Sequence, residues 1–220
     1  MKKNRTLRVS ALLLALTLIT TCFVGGTFAK YTTSASDDVT ARVANWGFER
    51  TNTISLDNLF SATYLQQGRT DANSVAAANG TDLLVAPGTT GSVQFGFAYD
   101  RSAGTAPEVA YTFTVDTTGS EIGTNLDNEL VWSLDDSVVG DFDALLDAIK
   151  NLSGEADGSK EYAPNALPAA FGVDNTLHTI SWTWAYSENA DGDTADTSLG
   201  NANTLETVKL QIAITAEQID

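Results

Sequence analysis

The sequence predicts an all-β protein, a jelly-roll-like antiparallel β-sandwich with one or two short helical insertions. Large and small residues alternate in several short runs, which is the pattern of half-buried strands. Only one face of each run is apolar, which indicates antiparallel sheets that are covered on one side. Turn residues separate the runs, for example at Pro87-Gly88, 102–107 and 117–120.

The predicted strands follow one another along most of the chain. In each of them, the large residues occupy every second position. These residues are Val93, Phe95, Phe97 and Tyr99; Val109, Tyr111, Phe113 and Val115; Leu130, Trp132 and Leu134; Ile180, Trp182, Trp184 and Tyr186; and Val208, Leu210, Ile212, Ile214 and Ala216. A layered pair of antiparallel sheets is the natural way to bury such faces.

Two segments have helical rather than strand periodicity. Residues 141–152 place Phe142, Leu145, Leu146 and Ile149 on one helical face, and Gly154 ends the pattern. Residues 55–67 show a second helical pattern, with Leu56, Leu59, Phe60 and Tyr64. Both segments are interpreted as insertions between strands.

The N-terminus has the organisation of an export signal. Four basic residues precede an apolar core of 14 residues, 11–24, which is short for a membrane span of about 20 residues. Gly25-Gly26 is expected to break the helix. The small residues Thr27 and Ala29 then occupy the two positions that a signal peptidase reads before a cleavage between Ala29 and Lys30. The alternatives are an uncleaved anchor and a lipoprotein that uses Cys22. We expect a signal peptide over 1–29, a flexible N-terminal arm over 30–38 and a single β-sandwich domain over 39–220.

Charge and cysteine content agree with export. The chain has 28 acidic and 12 basic residues and a net charge of −16, which becomes −20 when the four basic residues of the signal are removed. Such a field repels nucleic acids and anionic membranes, so the sequence argues against both as partners of the mature chain. Cys22 is the single cysteine. The mature chain therefore has no disulfide and no thiolate metal site.

An acidic segment suggests a calcium site. Asp191, Asp193 and Asp196 bring three carboxylates within six residues, and Gly192 permits a tight turn. Calcium prefers several closely spaced oxygen ligands on a flexible loop. The alternative is a solvated Asp/Gly turn between two strands.

Three aromatic residues on one strand face allow a second function. Trp182, Trp184 and Tyr186 would form a stacking platform if exposed, which would make the protein a carbohydrate-binding β-sandwich module. The other face of this strand is polar, so the aromatic face is the better candidate for the core. A monomeric cell-surface protein is a further alternative.

Some residues resemble a known family. The run from Gly25 through Lys30 to Thr32 is similar to the export signal of the TasA/camelysin family, which are secreted biofilm-matrix proteins of Gram-positive bacteria processed by a dedicated signal peptidase. The segments 84–92, 182–200 and 208–218 also look like family members or related exported proteins. The family's usual acidic residue after the aromatic one is replaced here by Thr32. The resemblance implies a jelly-roll protein that assembles into extracellular fibres, and the family name also carries a metallopeptidase annotation.

The residues argue against an enzyme. A typical zinc peptidase needs two histidines, often as H-E-x-x-H, whereas this chain has one, His178, and no such motif. His178 falls in register with Ile180 and Trp182, which predicts a sheet residue. A Ser-His-Asp site stays open at this point, because spatial neighbours are invisible in the sequence.

We therefore expect a secreted matrix protein without a catalytic site or organic cofactor that assembles with itself or with related matrix subunits. The connecting element would be the arm, which begins with Lys30, Tyr31, Thr32 and Thr33. An extended arm can add a strand to a sheet edge of another copy, and such a head-to-tail contact propagates as a fibre. Val39, Ala41 and Val43 alternate as in a strand, so the domain is expected to begin there.

Overall fold

Most of the alternating segments of the sequence form strands in the structure, which is a computed structural model. It describes residues 4–28, 41–48, 54–70, 74–98, 106–171, 176–186, 190–202 and 204–219. In these ranges the helices are α1 (Arg5–Phe28), α2 (Thr124–Asp127), α3 (Phe142–Lys150) and α4 (Ala190–Gly200). The strands are β1 (Thr63–Tyr64), β2 (Val75–Ala76), β3 (Thr90–Gly96), β4 (Tyr111–Asp116), β5 (Glu121–Ile122), β6 (Leu130–Leu134), β7 (Ser137–Gly140), β8 (Ser159–Tyr162), β9 (Leu177–Trp184), β10 (Val208–Lys209) and β11 (Ala213–Gln218). Short 3₁₀ helices cover Asn151–Ser153 and Ala169–Phe171.

The described chain divides into two units. The first spans Met1–Val43 and contains α1; the second spans Ala44–Asp220 and contains every described strand. Within the part of the chain that the structure describes, no helix combines the length and hydropathy needed to cross a membrane.

Antiparallel sheets build the second unit. The larger sheet has the strand order β3-β9-β6-β7, and a three-stranded sheet has the order β11-β4-β8. Two small sheets pair β1 with β2 and β10 with β5, and all of these pairs are antiparallel. The structure thus confirms a β-rich fold of antiparallel sheets with few helices.

The alternating residues face the core as predicted. Burial alternates strictly along β4, where Tyr111, Phe113 and Val115 are inside, and along β6 and β9. Phe97, just after β3, packs edge-on against Phe113 with ring centroids 5.3 Å apart. Aromatic side chains therefore connect the residues directly after β3 with the three-stranded sheet.

Helix α3 confirms the prediction made for residues 141–152. The Asp141 side chain accepts a hydrogen bond from the backbone N–H of Ala144 at 2.8 Å, which caps the first turn. Phe142, Leu145 and Ile149 are buried, and α3 packs against β6, β7 and β4. Gly154 ends the following 3₁₀ turn with φ of 95°, a conformation that glycine adopts without a steric penalty.

The helix predicted over residues 55–67 is wrong. Asn58 has φ of 75°, Ser61 bridges to Leu84, and β1 occupies the end of the segment. Leu59 is buried, and its carbonyl oxygen accepts a hydrogen bond from a core tryptophan. Leu56, Phe60 and Tyr64 are partly buried against the core, and these contacts replace the helical face that the periodicity suggested.

Three further expectations need correction. Helix α1 continues through Gly25-Gly26 to Phe28, because two glycines cost only about 2 kcal/mol in a 24-residue helix. The single C-terminal strand is divided into β10 and β11, which pair with different sheets. Residues 41–47 are not a strand, and Val43 is 90% exposed. The preceding positions, including Val39, lie outside the described residues.

Candidate functional site

His178 lies in β9 with its ring turned into the core, so the predicted sheet position is confirmed. Its Nδ1 lies 2.7 Å from Oδ2 of Asp135, and its Nε2 lies 2.9 Å from the carbonyl oxygen of Ala170. The ring packs against Phe95 and, edge-on, against Phe171, with centroid separations of 5.7 and 5.0 Å. Both ring nitrogens therefore face hydrogen-bond acceptors in an apolar surrounding.

Asp135 is positioned by the tight turn between β6 and β7. Asp135 and Asp136 form the turn with φ of 50° and 62°, values that Asp and Asn tolerate better than most residues. The Asp135 backbone N–H donates to Thr179 O, and its Oδ1 accepts from Thr179 N, both at 2.8 Å. The turn is thus attached to β9 through three hydrogen bonds that include the one to His178.

The His178–Asp135 pair has the chemistry of a clamp rather than of a catalytic triad. In a Ser-His-Asp site, Nε2 of the histidine accepts the proton of a serine hydroxyl. Here Nε2 faces the Ala170 carbonyl, which has no proton to give. Sequence patterns did not predict this pair, because the two residues are 43 positions apart. The two acidic residues between β6 and β7 were the available signal, since such residues favour a tight hairpin turn.

The aromatic face of β9 belongs to the core. Trp182 is 0% exposed, and its indole N–H donates to Leu59 O at 2.8 Å. Trp184 is 5% exposed, and its indole N–H donates to Asp196 Oδ1 at 3.1 Å. Tyr186 lies beyond the strand and is exposed. The core interpretation of the two tryptophans is confirmed, and they do not form an exposed stacking platform.

The acidic segment is helical rather than a turn. Asp191, Asp193 and Asp196 lie in α4, and only the Asp196 side chain falls within the described residues. Its carboxylate already accepts the Trp184 hydrogen bond. Among the described side chains, no group of three or more His, Cys, Asp or Glu residues is arranged to hold a metal ion. The calcium site stays a prediction.

The processing site and the assembly arm lie outside the described residues. This applies to Ala29, Lys30, Tyr31, Thr32 and Thr33. The structure describes the segments on either side. Helix α1 ends at Phe28, and the second unit starts at Ala44, where Phe48 packs edge-on against Tyr111 at 4.9 Å.

Comparisons with known proteins do not place the chain in a family. No family model and no curated protein matches it. The fold and the site define a β-rich protein of antiparallel sheets in which a buried histidine is held by an aspartate at the surface. The resemblance to the TasA/camelysin family remains a prediction from the residues that carry it.

Proposed function

We propose that this chain is the precursor of a secreted structural protein of an extracellular matrix, which is cleaved after Ala29 and self-associates into fibres. The observation that carries the proposal is the order of segments along the chain. A basic and apolar helix, α1, comes first, residues 30–43 follow, and a separate antiparallel β unit begins at Ala44. This order is typical of an exported domain that is preceded by a connecting segment.

We further propose that the β unit is a jelly-roll-like sandwich. Support comes from the two larger antiparallel sheets, whose inner faces are lined with buried residues. A sandwich of this kind leaves edge strands available to another chain unless charges or covering segments protect them. In the two larger described sheets, the edge strand β8 carries Lys160 and Glu161, whereas the edge strands β3 and β7 carry no charged residue. An arm from another copy would meet less electrostatic hindrance at β3 or β7.

Composition supports a structural role outside the cell. The mature chain would be cysteine-free, and its net charge of −20, derived above from the count of charged residues, keeps unassembled copies soluble. The one histidine is held by Asp135 and Ala170, both of which are hydrogen-bond acceptors. Burial of Trp182 and Trp184 removes the platform on which the carbohydrate-binding alternative rested.

Processing can be tested directly. Mass spectrometry of the culture medium of an expressing Gram-positive host is expected to find a product that begins with Lys30. A variant with bulky residues at the cleavage position, Ala29→Phe, should stay as the full-length chain, whereas Ala35→Phe should be processed normally. Recovery of only the full-length wild-type chain in the membrane fraction would contradict the proposal.

Assembly is tested with two purified proteins. The mature chain, residues 30–220, is compared with a truncated chain that starts at Asp38, by light scattering and electron microscopy. Fibres are expected from the first protein and monomers from the second. If the truncated chain forms the same fibres, the arm is not the connector. If neither protein associates, the monomeric alternative replaces the fibre proposal.

A further inference from the structure

The four-stranded sheet is free of charged residues, although the chain as a whole is strongly charged. Strands β3, β9, β6 and β7 contain no Asp, Glu, Lys or Arg. The chain has 28 acidic and 12 basic residues. Every strand of the three-stranded sheet carries at least one of them, as in Asp116, Lys160 and Glu217. Charge is therefore distributed unevenly between the two larger sheets.

Strand register arranges small uncharged side chains in rows on the outer face of the four-stranded sheet, which we call the neutral face. The first row is Thr90, Thr183 and Val131; the second is Ser92, Ser181, Ser133 and Val138; the third is Gln94 and Thr179. The third row ends beside Asp135, whose backbone N–H and Oδ1 both bond to Thr179. Neighbours within a row are about 4.8 Å apart, and successive rows are about 6.8 Å apart along the strands. The result is a lattice of hydroxyl and methyl groups.

The neutral face is accessible and its side chains are held in place. Val138 is 70% exposed and Val131 is 45% exposed. Thr90 Oγ1 donates to the Trp182 carbonyl at 2.6 Å and lies 3.3 Å from the Thr183 hydroxyl. Threonine and valine also have few rotamers, so a contact on this face orders little that is not already ordered.

We infer that the neutral face is a lateral contact between copies of this chain, an inference that rests on the proposed self-association. Two mature copies, each with the net charge of −20 derived above, repel each other over most of their surfaces. The rows through Thr183 and Ser181 contain no carboxylate, so a contact centred on them buries no unpaired charge and leaves Asp135 at its margin. Sheets can pack face to face about 10 Å apart, which suits short side chains of this kind.

The area of the neutral face determines the strength of this contact. The four strands lie about 4.8 Å apart and have 7, 8, 5 and 4 residues of about 3.4 Å each, so together they cover roughly 390 Å². Two copies would bury roughly 800 Å², which is less than the ~1,200–2,000 Å² of stable interfaces. Single copies therefore associate weakly through this face. Copies aligned along a fibre meet at high effective concentration, so the same contact bundles neighbouring fibres.

The test places a negative charge on this face and, as a matched control, on the other large sheet. Thr183→Glu adds the charge to the exposed neutral face, and Thr215→Glu adds it at an exposed position of β11. Both variants have the same net charge, and their melting curves show whether they fold as the wild type does. Electron microscopy measures bundle width. We expect bundles from the wild type and from Thr215→Glu, and separate fibres from Thr183→Glu.

Sedimentation of unassembled protein gives a readout that does not depend on fibres. The truncated chain that starts at Asp38 should dimerise weakly near 1 mM. Dimerisation should strengthen as salt rises from about 0.1 to about 1 M, because salt screens the repulsion between copies. Thr183→Glu should weaken the dimer at least about tenfold, since two like charges then meet in the contact.

The outcomes separate the two proposals. Absence of wild-type fibres, together with a salt-strengthened dimer that Thr183→Glu weakens, overturns the fibre proposal and supports the neutral face. A chain that stays monomeric near 1 mM in high salt overturns the neutral face. The neutral-face proposal is also overturned if Thr183→Glu dimerises as strongly as the wild type. It is overturned as well if Thr183→Glu and Thr215→Glu weaken the dimer equally.

Discussion

Replacing Gly91 with alanine tests how closely β3 packs on the segment around Leu59. A Cβ atom at position 91 would lie 2.1 Å from the Leu59 carbonyl oxygen and 2.5 Å from Nε1 of Trp182. Ordinary contact begins at 3.4 Å, so the carbonyl would have to move by about 1.3 Å. The 2.8 Å hydrogen bond between this carbonyl and the Trp182 indole N–H cannot survive such a movement.

The size of the effect follows from two costs. Overpacking a close-packed site costs about 1–3 kcal/mol. Leaving a buried donor and acceptor unpaired costs about 1–3 kcal/mol more. We expect Gly91→Ala to lower the free energy of unfolding by about 4 kcal/mol, which corresponds to a fall in Tm of roughly 8–16 °C for a domain of this size.

Thermal unfolding followed by circular dichroism measures this effect, with Gly96→Ala as the control on the same strand. A Cβ at position 96 would lie 2.8 Å from the flexible end of the Leu177 side chain, which is 55% exposed, and 3.0 Å from the Thr176 carbonyl oxygen. The Leu177 side chain can turn away and the carbonyl needs to move by only about 0.4 Å, so this variant should lose clearly less stability than Gly91→Ala. If Gly91→Ala melts with the wild type, or if both variants fall equally, the reasoning about the Leu59 carbonyl is wrong.

Three other predictions concern charged groups. Asp135→Asn keeps the turn conformation but removes the carboxylate that faces the imidazole, so it should cost about 1–2 kcal/mol in urea unfolding, whereas the neighbouring Asp136→Asn should be neutral. The Leu126 backbone N–H, more than the Asn125 amide, holds the pKa of the Glu206 carboxyl below its usual value of 4.5. This stabilisation is present above the usual pKa and is lost as pH falls through the lower folded value, so Glu206→Gln should lower Tm at neutral pH and have no effect in strong acid. Calcium should raise Tm by mass action, and Asp193→Ala should abolish the increase; a Tm that is constant up to millimolar calcium would contradict the site.

Local patterns in the sequence were sufficient for several of the longer elements, β3, β4, β6, β9 and α3. Period-two alternation predicted β4, β6 and β9 with the correct buried face, because each strand has one face in the core. The apolar stripe of α3 was equally informative. Helix α4 was missed because its residues, 190–200, have no apolar stripe and contain Asp and Gly, which favour turns.

The candidate site depended on contacts that no local pattern contains. His178 meets Asp135 and Ala170 only after β9 has paired with β6. The neutral face likewise needs the register of four strands that are dispersed along the chain. In segment 55–67 a local pattern predicted the wrong structure. The apolar residues do have helical spacing, but the tertiary contacts of Leu59 determine the backbone conformation.

The pairing of the C-terminal strand β11 with the distant β4 has a kinetic consequence. Strand β11 pairs with β4 along its whole length, although residues 213–218 are synthesised long after residues 111–116. Strand β3 likewise pairs with β9, which follows it only after a long intervening part of the chain. Because pairings between distant segments form slowly, we expect β11 to dock on β4 in a late step of folding. Until then β4 is paired only with β8, and its other side is an open sheet edge.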